Sequence, residues 1–148
     1  MSCKNVDQAG NNNPLQQAVQ PADYTSTVTG DNTLEDITCQ SSVYIGAVVY
    51  IESNTARNAS AAALSTSRAI GIVKSKSSST KCDIVITGFI SSILSGLNDN
   101  NNYFLSATVA GAITLTAPSS SGQVVVKIGK ALKADVLKVH IEQKTIRT

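Results

Sequence analysis

The C-terminal part of the chain alternates apolar and polar residues over short runs separated by turn-forming residues, and this pattern constrains the fold most. In Val136–Glu142 three apolar residues alternate with three polar ones, and Gln123–Ile128 has valine or isoleucine at every second position. Pro118–Gly122 predicts a polar turn and Gly129-Lys130 a turn or bulge. Alternation of this kind is typical of β-strands with one buried face. Tyr103–Glu142 is therefore predicted to be a set of strands joined by tight turns.

The preceding segments extend the β pattern. Val43–Glu52 is apolar on both alternating faces, which predicts a strand covered on both sides. Lys81–Thr87 predicts a second strand that ends at Gly88, and Ala112–Ala117 a third. An Ala-rich stretch over residues 56–67 predicts a short helical or irregular insert. The fold class expected is all-β, mainly antiparallel, as a small β-sandwich or β-barrel.

The N-terminal segment differs from the rest in composition. Residues 1–35 are rich in Asn, Gln, Asp and Thr, which predicts an extended polar arm ahead of a β-rich domain at 36–148. Thr33–Asp36 is interpreted as a short helical turn. The arm either stays a loose tail or orders on a partner, through scattered apolar residues. These candidate partner-binding residues are Leu15, Val19, Tyr24 and Val28.

Charge and hydropathy limit the classes of partner. Charged residues are 15% of the 148 residues and the net charge is +2, without long runs, so no nucleic-acid partner is predicted. Lys74, Lys76 and Lys81 form the densest basic cluster and are interpreted as part of a solvated Ser-rich turn. The longest apolar run, Ala47–Ile51, is far below the roughly 20 residues that span a bilayer. With no apolar N-terminal run, the expectation is a soluble protein made in a cytoplasm, with no membrane partner.

The sequence offers no constellation of catalytic residues. The single histidine, His140, is predicted on the polar face of the last strand, away from any nucleophile. Asn98-Asp99-Asn100 lacks the pattern of a calcium loop and predicts a solvated turn. Neither Gly122 nor Gly129 opens a phosphate-binding motif. The expectation is a non-enzymatic protein with no catalytic residues, no cofactor, no metal and no small-molecule substrate.

The three cysteines, Cys3, Cys39 and Cys82, are widely spaced and form no Cys-x-x-Cys pair, so zinc is not indicated. The favoured interpretation is free thiols in a reducing cytosol, with Cys39 and Cys82 packed as small apolar residues. A disulfide between Cys39 and Cys82 is the alternative.

Part of the chain resembles a module that recurs in virion proteins of tailed bacteriophages. The likeness covers about residues 34 to 141 and rests mainly on Tyr103–Ser106, Ala110–Thr114, Pro118 and Gly122–Leu132. Upstream pieces that fit the same module are Asp36–Cys39, Val43–Val49 and Ile70–Val73. The resemblance implies a virion structural protein with a small β-domain of the capsid decoration (cement) or head-fibre type.

The resemblance also implies partners and a location. A decoration protein would bind the outer surface of the shell of major capsid protein as a homotrimer, beside other virion proteins. The alternative is a tail-fibre, baseplate or head-fibre knob that binds a host receptor. Tyr44, Tyr50 and Tyr103 would stack on sugars if they face outward, although tyrosines in strands are more often packing residues. The short arm, without heptads or shaft repeats, favours the capsid surface. A cytosolic β-protein that joins no virion stays open as a third interpretation.

Overall fold

The computed structural model describes residues 32–148, apart from the side chains of residues 143–145, and its regular elements are β-strands and one 3-10 turn, Leu64–Thr66. The strands are β1 (Asn32–Thr38), β2 (Val48–Glu52), β3 (Thr55–Asn58), β4 (Gly71–Ser78), β5 (Lys81–Ser91), β6 (Asn102–Leu105), β7 (Ile113–Thr114), β8 (Val124–Lys133) and β9 (Val136–Ile146). They form one open antiparallel sheet in the order β3-β2-β4-β5-β9-β8-β6-β7, and β1 also pairs with β5. The all-β prediction is confirmed.

Strand β5 joins two halves of the sheet: the first half contains β1 to β4, and the second half contains β6 to β9. Its first part, up to Thr87, pairs with β1 and β4, whereas Gly88–Ser91 pairs with β9. Gly88 has a φ of 121°, a conformation that residues with a side chain rarely adopt. The prediction that the strand ends at Gly88 is wrong, because the glycine lets the strand bend and change partner.

The two halves of the sheet bury a common core. Val48 and Ile72 of the first half lie in the same cluster as Leu105, Val126 and Leu137 of the second. A separate cluster packs on the opposite side of β2, β4 and β5; its buried members are Cys39, Val43, Ala47, Val49, Ala56, Val73, Cys82 and Ile84. The first half is therefore buried on both faces around residues 47–50. The strand predicted over Val43–Glu52 begins only at Val48, and Tyr44, Ile45 and Ile51 are exposed, so the prediction of cover on both sides holds for the middle of that range only.

The helical turn predicted at Thr33–Asp36 is wrong, because these residues belong to β1 and pair with β5. Strand structure begins at Asn32, ahead of the boundary predicted between arm and domain. Asp36 has a φ of 57° at a bulge, where its amide donates a 2.9 Å hydrogen bond to Asp83 Oδ1. Ser75 Oγ donates to the other oxygen, Oδ2, at 3.0 Å, so one carboxylate of β5 ties β1 and β4 together.

Two further segments, the Ala-rich stretch and the strand predicted over Ala112–Ala117, contain little regular structure. The Ala-rich stretch is irregular: Ala56 lies in β3, and the following residues form loops around the turn at Leu64–Thr66. The strand predicted over Ala112–Ala117 is limited to Ile113–Thr114, and Leu115 beyond it is 42% exposed. Only the residues that pair with β6 keep the strand conformation there.

Candidate functional site

A row of exposed side chains crosses four strands of the second half of the sheet. The Cα atoms of Phe89 in β5, Lys138 in β9, Lys130 in β8 and Asn102 in β6 are successive cross-strand partners. Directly paired residues project to the same side of a sheet, and all four are exposed. Their chain neighbours on the opposite side are core residues: Ile90, Leu137, Ala131 and Tyr103. The row therefore lies on the face turned away from the core.

Two more basic residues, Lys127 and His140, lie beside this row. Lys127 and His140 line a shallow depression of about 230 Å³ together with Lys130, Lys138 and Gly129. We call Lys127, Lys130, Lys138 and His140 the lysine face. The prediction that His140 lies on the polar face of the last strand is confirmed, since its side chain is 63% exposed.

A bulge in β8 brings Lys127 and Lys130 to the same side. Residues three apart in a regular strand point to opposite faces, but the pairing of β8 with β6 shifts by one residue between Lys127 and Gly129. Gly129 also allows β9 to come close, because a Cβ there would stand 2.2 Å from the carbonyl oxygen of Lys138. The predicted bulge at Gly129-Lys130 is confirmed, whereas the turn to the last strand lies at Ala134-Asp135.

The charges on this face are balanced in one place only: Lys127 stands opposite Glu142 across β8 and β9. Lys130 and Lys138 stand directly opposite each other, an arrangement that destabilises a sheet. His140 Nε2 lies 3.5 Å from Glu142 Oε2, but neither Lys130 nor Lys138 has an ion-pair partner among the side chains that the structure describes. The stability of the fold therefore gives no reason for these two lysines to face each other.

An apolar groove adjoins the lysine face. It has a volume of about 420 Å³ and is lined by Leu34, Ala69, Ile70, Ile86, Thr87, His140 and Ile141. His140 lines both depressions, so the two meet at this residue. The surface thus offers positive charge on one side of His140 and apolar side chains on the other.

The residues proposed from the sequence as binding residues lie in three kinds of place: outside the described residues, in the core, or at the surface. Leu15, Val19, Tyr24 and Val28 lie outside the described residues. Tyr50 and Tyr103 are 7% and 5% exposed, so both are packing residues, and the outward placement that a receptor-binding knob would need is wrong for them. The Tyr103 hydroxyl accepts a hydrogen bond from the amide of Asn98 at 2.8 Å. Tyr44 is 42% exposed and donates to the carbonyl oxygen of Ala110 at 3.3 Å.

The basic cluster singled out in the sequence has a structural role. Lys74 and Lys76 lie in β4, so the prediction of a Ser-rich turn is wrong for these two. Lys81 opens β5, in agreement with the strand predicted over Lys81–Thr87. Lys76 Nζ donates a 2.6 Å hydrogen bond to the carbonyl oxygen of Val43, and Lys81 Nζ lies 3.8 Å from Asp36 Oδ2.

Sequence reasoning missed the lysine face because its members belong to two strands whose register is invisible in the sequence. The available signal was the outward position of Lys138 and His140 in β9, together with the nearby Lys127 and Lys130 of β8.

The buried thiols are structural groups in this arrangement. Cys39 and Cys82 are free, buried and members of the same apolar cluster, as the favoured interpretation predicted. Burial, followed by a hydrogen bond with Cys39, raises the pKa of Cys82 to about 12. Its thiol is therefore protonated at neutral pH and a poor nucleophile or metal ligand.

Comparison with known proteins gives no relative: no family model, no curated protein and no solved structure matches this chain. Within residues 32–148, no helix is long and apolar enough to cross a membrane. No cluster of three or more His, Cys, Asp or Glu side chains that could hold a metal occurs in the described part of the chain either. The lysine face and its adjoining groove are therefore the features on which a functional proposal rests.

Proposed function

We propose that this chain is a non-enzymatic structural protein of a tailed-bacteriophage virion, a decoration protein that binds the outer surface of the major capsid protein shell and stabilises it. The observation that carries the proposal is the lysine face, which lies on a broad, paired sheet rather than in a loop. A sheet held by hydrogen bonds and a common core presents its side chains in fixed positions, as docking on a repeated surface requires.

The segment with the phage-like pattern supports the same proposal. Tyr103–Leu132 folds as β6, β7 and most of β8, so it builds the part of the sheet that carries Lys127 and Lys130. The pattern and the candidate surface therefore coincide in one region of the molecule.

Self-association as a homotrimer is part of the proposal. Several large apolar side chains outside the lysine face are exposed, among them Ile45 at 52% and Val109 at 57%. Exposed apolar side chains of this kind favour contact with a second chain when they adjoin one another. Sedimentation equilibrium at micromolar concentration tests this point, and a stable monomer would oppose trimerisation in solution.

A receptor-binding knob of the tail or head fibre is the second candidate. It is favoured by a depression of about 280 Å³ lined mainly by hydroxyl and amide side chains, including Ser106, Thr108, Thr116, Ser120 and Gln123. Such groups hydrogen-bond sugars. The burial of Tyr50 and Tyr103 leaves Tyr44 as the one exposed residue of the three proposed to stack on sugars, so the decoration protein is the stronger proposal.

The copy number of the chain in purified virions separates the two candidates. A symmetric shell carries on the order of hundreds of copies of a decoration protein, whereas a tail or fibre carries only a few copies of a knob. A cryo-EM map of the particle, with quantitative mass spectrometry of its proteins, gives both the number and the location.

Particles that lack this protein test the stabilising role directly. We expect them to lose their DNA at a lower temperature than complete particles, and to recover when purified protein is added back. Equal heat resistance with and without the protein would refute the stabilising role.

A further inference from the structure

We infer that the lysine face and the adjoining apolar groove form one docking surface for an acidic protein segment that inserts an apolar side chain into the groove. The assignment of this segment to a coat subunit rests on the proposed function. The inference that the segment is acidic and carries an apolar side chain rests on the surface alone.

The first argument is that the two parts meet at His140. His140 lines both the depression of the lysine face and the groove. A partner that reaches Lys130 and Lys138 therefore meets the groove residues Ile70 and Ile86 beyond the histidine. A mixture of apolar centre and charged surroundings is the usual composition of a protein–protein interface.

The aromatic ring beside the lysines is the second argument. Phe89 is 55% exposed and is the direct cross-strand partner of Lys138. An exposed ring beside charged residues suits an apolar side chain of a protein partner, since aromatic residues are enriched at the centres of such interfaces. A nucleic-acid base also stacks on such a ring, but the aliphatic lining of the adjoining groove, which includes Leu34, Ile70 and Ile86, suits an apolar side chain of a protein.

The third argument is which basic side chains the lysine face contains. The face carries three lysines and a histidine and no arginine. Arginine is the preferred residue for two-pronged contacts to phosphate, whereas lysine acts as a point charge. Carboxylates of a protein partner satisfy point charges at varied angles, and they also relieve the repulsion between Lys130 and Lys138.

The test uses a fluorescein-labelled peptide in which one leucine is flanked by glutamates, with binding measured by anisotropy on the full-length protein. Two comparison probes are the same peptide with serine in place of leucine, and a single-stranded DNA oligomer of equal charge. We expect the leucine peptide to bind most tightly, and its binding to weaken as salt rises, because screening reduces charge attraction. Tighter binding of the DNA oligomer would overturn the inference in favour of a nucleic-acid surface.

Matched variants locate the binding. The double variant Lys130→Glu/Lys138→Glu keeps a like-charge pair and should fold as the wild type does, but we expect about a tenfold or greater loss of peptide affinity. Phe89→Ser, at an exposed position, should weaken the leucine peptide more than the serine peptide. Lys133→Glu makes the same charge change per site on the same strand, opposite Val136 and outside the face, and should stay within about twofold of wild type.

Binding to purified virions that lack the protein separates this inference from the proposed function. If wild type and the double variant bind the particles equally well, the docking surface is wrong and the decoration role stands. If wild type binds the peptide through the lysine face but not the particles, the docking surface stands and the decoration role is wrong. Equal binding of the leucine peptide by wild type and the double variant overturns the docking surface whatever the particles show.

Discussion

Replacing Lys130 by glutamate should make the protein more stable, although it removes a residue of the proposed docking surface. Lys130 and Lys138 are direct partners across β8 and β9, and directly opposed side chains have Cβ atoms about 5 Å apart. For charges about 7 Å apart in water, Coulomb's law gives a repulsion of about 0.6 kcal/mol. Changing one sign turns this repulsion into an attraction of similar size. At low ionic strength the unfolding free energy is therefore expected to rise by about 1 kcal/mol.

Salt should reduce this gain in a predictable way. The screening length is about 8 Å at physiological ionic strength, close to the separation of the charges, so the gain should fall to about 0.5 kcal/mol there. At about 1 M salt the screening length is near 3 Å and the gain should almost vanish.

Urea denaturation of four proteins measures the effect: wild type, Lys130→Glu, Lys138→Glu and the double variant. The double variant places two glutamates opposite each other, so its stability should return close to that of wild type. Lys133→Glu serves as the control for net charge, because its cross-strand partner is Val136. The reasoning is refuted if Lys130→Glu is no more stable than Lys133→Glu, or if salt leaves the gain unchanged.

Three further predictions concern the fold that supports this surface. Gly129→Ala should destabilise by about 1–3 kcal/mol in urea denaturation, because the added Cβ meets the carbonyl oxygen of Lys138; an unchanged midpoint would show that β9 moves freely. Leu137→Ala should cost about 2–5 kcal/mol, since this side chain is fully buried between the halves of the sheet, whereas Leu132→Ala, at a 44% exposed position of β8, is the control and should cost far less. Asp83→Asn should destabilise at neutral pH. The hydrogen bonds from Asp36 and then Ser75 lower the pKa of Asp83, so its contribution is full above the unfolded pKa of about 4 and is lost as the pH falls through the lower folded value. Thermal melts from pH 7 downward should therefore show the two proteins converging in acid, and a constant difference would contradict this.

Much of the strand pattern could be predicted from the sequence because it depends on local alternation. In β9, Leu137 and Val139 are buried while Lys138 and His140 are exposed, as the alternation predicted. In β5, Cys82 and Ile84 pack in one cluster and Val85 in the other, as alternation along a strand requires. The period of two is a property of the extended backbone itself, so it can be read before any partner strand is known.

The errors lie where a distant strand overrides the local signal. Gly88 resembles a strand end in the sequence, but β9 supplies hydrogen bonds on the far side of the bend and the strand continues. Thr33–Asp36 resembles a helical turn, but pairing with β5 draws it into a strand. In both cases the deciding hydrogen bonds come from residues far away along the chain.

The alternating residues of Tyr103–Glu142 determined that this region is β-structure and which side chains of its last strand face outward. They did not determine that Lys127, Lys130, Lys138 and His140 share one surface. That depends on the register of β8 against β9 and on the bulge before Gly129. Register is set by packing and hydrogen bonding between strands, and a shift of one residue would turn each of these side chains to the opposite face. Only the tertiary structure therefore decides whether scattered lysines become a binding surface.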